Sequence, residues 1–74
     1  MRRDVATMRV QAELTKATAH FGPFLSDHEG LAIIREEYLE YEGEVFHGTR
    51  YKARHEATQL AAMALRFLID RCDE

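Results

Sequence analysis

Residues 35–45 read REEYLEYEGEV and hold Glu36, Glu37, Glu40, Glu42 and Glu44, with Arg35 as the only cation among them. Like charges three or four residues apart on a helix repel by about 0.2–0.5 kcal/mol per pair, so such a concentration needs a reason. At roughly 100° per residue, Glu37, Glu40 and Glu44 share one strip of a helix, while Glu36 and Glu42 point further away. Lys52, Glu56, Gln59 and Met63 form a strip of their own further along the chain. Antiparallel packing of two such helices brings Glu37 and Glu40 opposite Glu56 and Gln59. Partly buried carboxylates that face one another cannot all stay ionised unless a cation sits among them. Magnesium fits, because it takes oxygen ligands, often one or two carboxylates with water and substrate phosphate. The same spacing also suits a solvated acidic face with no ligand, and spacing alone does not separate the two.

Three helices must position these residues. The first is expected from about Asp4 to His20, where Val10, Leu14, Ala17 and Phe21 recur at helical spacing. Gly22-Pro23 ends it, glycine by accepting a left-handed cap and proline by breaking the ladder. Ser26 and Glu29 have the spacing of a capping box, which starts a second helix that runs to about His47 and stops at Gly48. Its expected apolar seam is Leu31, Ile34, Tyr38, Tyr41 and Val45, with the carboxylate strip beside it. Gly43 lies inside this helix, at a cost of roughly 1 kcal/mol relative to alanine. The third helix runs from near Thr49 to about Arg71. Between Ala57 and Ile69 only Thr58, Gln59 and Arg66 are polar, and a helix apolar most of the way round is buried on more than one side. Three helices in one chain enclose such a helix poorly, so the fold class expected is all-α, a helical bundle completed by oligomerisation, as a homodimer or homotetramer.

At 74 residues the chain makes a single domain, 1–74, whose core alone rarely supplies more than about 3–5 kcal/mol. Cys72 is the only cysteine, which excludes a disulfide framework and a thiol-based zinc motif. A 46% hydrophobic share argues against global disorder, and no basic block argues for DNA or RNA. The longest apolar run, Leu60 to Leu65, is too short to cross a membrane, and no signal-peptide core follows Met1-Arg2-Arg3. A cytoplasmic location is the natural expectation.

Two segments, FGPFLSDHEGLAIIREEYLEYEGEV and HEATQLAAMALRF, carry a resemblance. Together they look like the MazG-like group of all-α nucleoside triphosphate pyrophosphohydrolases, whose signature is Glu-Glu-x-x-Glu on one helix and Glu-x-x-Asp on the next. The first element is present as Glu36-Glu37-x-x-Glu40. The second falls at Glu56-x-x-Gln59, where an amide replaces the aspartate. The resemblance implies magnesium, or manganese, on Glu37, Glu40, Glu56 and the Gln59 position, with weaker affinity for want of one charge. Glu44, one turn along the strip, could compensate. It further implies hydrolysis between the α and β phosphates of a nucleoside or deoxynucleoside triphosphate, giving a monophosphate and pyrophosphate, in a house-cleaning role. Glu36 or Glu40 would accept the proton of the attacking water, and Lys52, helped by Arg54 or Arg50, would contact phosphate oxygens. The alternative is a degenerate helical module that binds nucleotide or a protein partner without hydrolysis.

His28 follows the start of the second helix and, with Phe21 and Phe24, could line a base pocket. Alternatively, the two phenylalanines pack the loop against the core. His20, His47 and His55 show no paired metal spacing, and Ser26 reads as a cap rather than a nucleophile.

Overall fold

The computed structural model describes residues 1–72. It contains three helices, α1 (Arg3–His20), α2 (Asp27–His47) and α3 (Arg50–Arg71), and no strand among the described residues. Local chemistry sets their ends. Ser26 Oγ accepts the Glu29 N–H at 3.0 Å and Thr49 Oγ1 accepts the Lys52 N–H at 3.1 Å, each satisfying one orphan donor of a helix start. The Glu29 carboxylate reaches back to the Leu25 N–H at 3.3 Å, one residue earlier than a standard capping box requires. α1 closes with the Phe21 N–H on the Ala17 carbonyl at 2.9 Å. The left-handed glycine cap expected there does not form. No glycine has positive φ, because Phe21 itself turns to extended backbone and carries the chain out of the helix.

α3 is the central element. α1 and α2 each pack along it, and no Cα of α1 comes within 8 Å of one in α2 among the described residues. Phe24, Ala62 and Met63 are buried, flanked by Val10, Leu14 and Ala17 from α1 and by Ile33, Ile34 and Phe67. α2 packs tightly at Gly30, where an added Cβ would lie 2.6 Å from Phe67 Cδ2 of α3 and 3.2 Å from Phe24 Cδ2 of the α1–α2 connection. Only a missing side chain admits the aromatic ring at that distance. Gly43 has open space around it, so no close approach within the chain accounts for that glycine.

This contact rotates α2 away from the orientation its apolar seam suggests. Ile34 and Tyr41 are half-buried, but Leu31, Tyr38 and Val45 are exposed. The inward line is Gly30, Ile33, Ile34, Glu37, Tyr41 and Glu44, turned by about 70° at roughly 100° per residue. Glu37 therefore lies at the middle of the packed face rather than beside it. On α3, Leu68 and Ile69 are exposed, so a single chain does leave apolar surface of that helix uncovered. No described helix is long and apolar enough to cross a membrane.

The α1–α2 connection is fastened to the end of α3. Arg66 is buried, with its guanidinium 4.3 Å from the Phe24 ring centroid and Nη2 donating to the Gly22 carbonyl. Its Nε lies 3.3 Å from Asp70 Oδ2, which also accepts the Phe24 N–H at 2.9 Å. An exposed pair, Arg71 Nε to Asp27 Oδ1 at 2.9 Å, repeats the fastening one turn on.

Candidate functional site

Because α2 is rotated, the carboxylates of Glu37 and Glu56 are half-buried at the α2–α3 interface, and Glu40 meets them from the solvent rim. One carboxylate oxygen from each of Glu37, Glu40 and Glu56 lies within 4.8 Å of the others. Glu37 Oε2 and Glu56 Oε2 are buried with no hydrogen-bond partner. A buried charged oxygen without a partner is costly, and the cost appears in the proton affinities. Loss of hydration pushes Glu37 up to about 7, reinforced by the charges of Glu40, Glu56 and Glu36. Glu56 is raised for the same first reason, then by a hydrogen bond to Glu40 and by its charge, with His55 opposing. Glu37, Glu40 and Glu56 are the residues that could hold a hard divalent cation, which takes oxygen donors, although acidic clusters of this kind also occur without an ion.

Beside the triad opens a cleft of about 590 Å³, in the gap that α1 and α2 leave over α3. Phe21, Pro23 and Phe24 wall one end, Ile33 and Met63 form apolar floor, and Glu36, Glu37 and Gln59 line the end near the triad. The recess joins aromatic and aliphatic side chains with polar groups drawn from all three helices, a lining of the mixed kind that small-molecule sites have.

The expected site residues separate into two groups. Glu37, Glu40 and Glu56 converge, Glu36 and Gln59 face the adjoining cleft, and Phe21 and Phe24 line it. The two phenylalanine roles left open by the sequence are divided: Phe24 is buried in the core and also walls the cleft, whereas Phe21 is exposed on its rim. Gln59 is engaged through Nε2, 3.1 Å from His55 Nε2. Glu44 is half-buried and its carboxylate turns to the α2–α3 corner, filling the space where a Cβ on Gly48 would stand, so it does not join the triad. His28 is exposed on the first turn of α2 and does not line the cleft, because the inward line of that helix passes through Gly30 and Ile33. Lys52 is exposed on the first turn of α3 and lines neither the cleft nor the smaller hollow next to it. Arg54 lies 5.5 Å over the Tyr51 ring and faces α1 rather than the carboxylates.

Sequence reasoning passed over Glu13 and Lys16, which α1 contributes to the cleft, and Arg66, and it set His20 aside for want of a paired metal spacing although His20 also lines the cleft. The α1 residues step by 3 and 4 and share the helix face of Ala17, so periodicity marks them once α1 is known to border the site. Comparison with protein-family models, with curated proteins and with solved structures gives no match.

Proposed function

We propose that this chain is a magnesium-dependent nucleoside triphosphate pyrophosphohydrolase of the MazG-like kind, acting in the cytoplasm on nucleoside or deoxynucleoside triphosphates. The observation that supports it is the convergence of Glu37, Glu40 and Glu56 oxygens within 4.8 Å at the mouth of an aromatic cleft. The donor set fits the ion: all three ligands are carboxylate oxygens, and two carry buried lone pairs that nothing in the described chain satisfies. Bound by these residues, magnesium or manganese supplies positive charge against the phosphates and acidifies a water for attack.

The remaining work belongs to the chain's own side chains. Phe21, exposed on the rim, offers the base a ring face, and the edge of Phe24 forms the wall behind it. Glu36 lies on the cleft side, adjacent in sequence to Glu37, and accepts the proton of the attacking water, with Glu40 at the rim as the second candidate base. Gln59 orients substrate by its amide rather than by charge. Leu31, Tyr38, Leu39 and Val45 form the exposed apolar strip of α2 through which a homodimer or homotetramer would be completed.

The second reading, a helical module that binds nucleotide or a protein partner without hydrolysis, is favoured by one observation: Gln59 holds the fourth acidic position and is tied to His55. The deciding measurement is pyrophosphate release from a panel of nucleoside triphosphates with and without magnesium. Turnover that requires the metal and disappears in Glu37→Gln supports the enzyme. A wild type that is inert while Gln59→Asp gains both metal binding and turnover supports the module.

A further inference from the structure

The chain carries an excess of negative charge, −3 overall, yet one hollow on its surface has the opposite sign. It measures about 220 Å³ and continues the groove between α1 and α3 away from the aromatic cleft. Arg9 and Lys16 line it from α1, Tyr51, Arg54 and His55 from α3. Glu13 is its only carboxylate, so three permanent cations face one anion. Lys16 reaches Glu13 only loosely, at 3.9 Å, and neither Arg9 nor Arg54 has a carboxylate within 4.0 Å among the described residues.

Two guanidinium groups and an ammonium around a recess, with Glu13 alone to offset them, repel one another unless a ligand intervenes. Arginine's fork of donors matches the oxygens of a phosphoryl group, and lysine adds a point charge. Arg54 is further fixed by its stacking on Tyr51, which reduces the ordering cost of binding. The recess has less than half the volume of the cleft, and its lining mixes the three cations and Glu13 with Ala12 and Tyr51. Two connections join it to the larger cleft: Glu13 and Lys16 line both, and the His55–Gln59 hydrogen bond crosses from one lining to the other.

We infer that the hollow between α1 and α3, lined by Arg9, Lys16 and Arg54, is an anion site for a diphosphate group. It binds without a metal ion and stands on its own geometry, so it does not depend on the hydrolase reading. The diphosphate can arrive free or as the tail of a nucleotide whose ring occupies the neighbouring cleft, and the chemistry recognised in the hollow is the same.

The test uses sodium pyrophosphate in magnesium-free buffer, titrated into isotopically labelled protein and followed at each backbone amide. Shifts are expected to concentrate within residues 9–16 and 51–58, with inorganic phosphate binding at least about tenfold more weakly. Arg9→Gln/Arg54→Gln is expected to weaken pyrophosphate about tenfold or more, and Arg9→Lys/Arg54→Lys to recover part of it. Both arginines are exposed, so these variants keep the fold. The control Arg2→Gln/Arg35→Gln removes the same charge elsewhere and is expected to change binding less than twofold. Equal weakening in control and test variants, or shifts lying outside the hollow, would overturn the assignment. So would a DNA oligonucleotide that displaces pyrophosphate and binds the same residues more tightly. A nucleoside triphosphate that also shifts Phe21, Phe24 and Ile33 identifies the nucleotide as the source, and shifts confined to the hollow identify the free anion. Pyrophosphate binding in a protein that shows no triphosphate turnover leaves this site standing and removes only the hydrolase.

Discussion

At the C-terminal end of α3 the buried guanidinium of Arg66 is surrounded by an aromatic face, a backbone carbonyl and the Asp70 carboxylate. Ten residues earlier, about 15 Å along the same helix, Glu56 meets Glu37 and Glu40 with no cation among them. The two clusters are similarly placed against neighbouring elements but opposite in electrostatic completion. A cluster whose charges are paired fixes one arrangement and serves the fold, even though Arg66 Nε makes no hydrogen bond of its own, whereas a cluster of like charges costs stability. The contrast makes the clamp the part that holds the fold, and under the proposed function the triad is the part that takes the ligand.

The strongest challenge to that division is Arg66→Ala. Removing one partner of a buried pair costs about 3–5 kcal/mol, comparable with the entire stability of a chain this short. Chemical denaturation is expected to find the variant largely unfolded. A variant that melts within a few degrees of wild type would show that the clamp is not what holds the α1–α2 connection.

Gly30→Val ranks next. Its Cβ would meet Phe67 at 2.6 Å, and overpacking of this kind costs about 1–3 kcal/mol. The same displacement of α2 from α3 is expected to separate Glu37 from Glu56, so magnesium affinity should fall along with stability. Loss of stability with unchanged metal binding would break the link between that contact and the site.

The triad predicts the reverse relation between stability and function. A carboxyl raised from 4.5 to about 7 favours the protonated form in the folded state. Its contribution is therefore fully present below about pH 4.5 and is lost as pH rises through about 7. Metal-free protein should become less stable between pH 5 and pH 8 by about 1–2 kcal/mol, less than the full shift implies because solvent reaches part of the site. Glu37→Gln should flatten that slope and raise stability at pH 8, while reducing any metal-dependent turnover at least about 100-fold. Thermal melts at the two pH values, with and without magnesium, measure both effects. A wild-type slope unaltered by the substitution would mean the triad is fully solvated.

The smallest effect belongs to the exposed Arg71–Asp27 pair. Asp27→Asn should change stability by no more than about 0.5 kcal/mol, despite a 2.9 Å separation that is shorter than the 3.3 Å of the Arg66–Asp70 pair. A larger loss would place the fastening of α2 at the surface instead of at Arg66.

Helix limits were legible in the sequence because their causes are local. Ser26 and Thr49 satisfy donors three residues away, and Gly48 ends α2 within one turn of the Glu44 carbonyl that its N–H bonds. Glu37 and Glu40 were also legible as one strip, since helical spacing fixes which residues of a helix travel together, whereas Glu56 joined them only on the supposition of antiparallel packing. The apolar seam of α2 was misjudged for a definite reason. Hydrophobicity weights Leu31, Tyr38 and Val45, but contact is decided by shape, and α2 packs tightly at Gly30 against Phe67 from far along the chain.

What the amino-acid sequence determined by itself is the set of three helices, their ends and the acidic strip, all written in interactions that span at most a turn or two. The tertiary structure decided which face of α2 turns inward, that Arg66 closes the loop, and that Lys16 and Arg9 join residues of α3. Those outcomes depend on side-chain volume and charge meeting across some forty residues of chain, which no local spacing encodes.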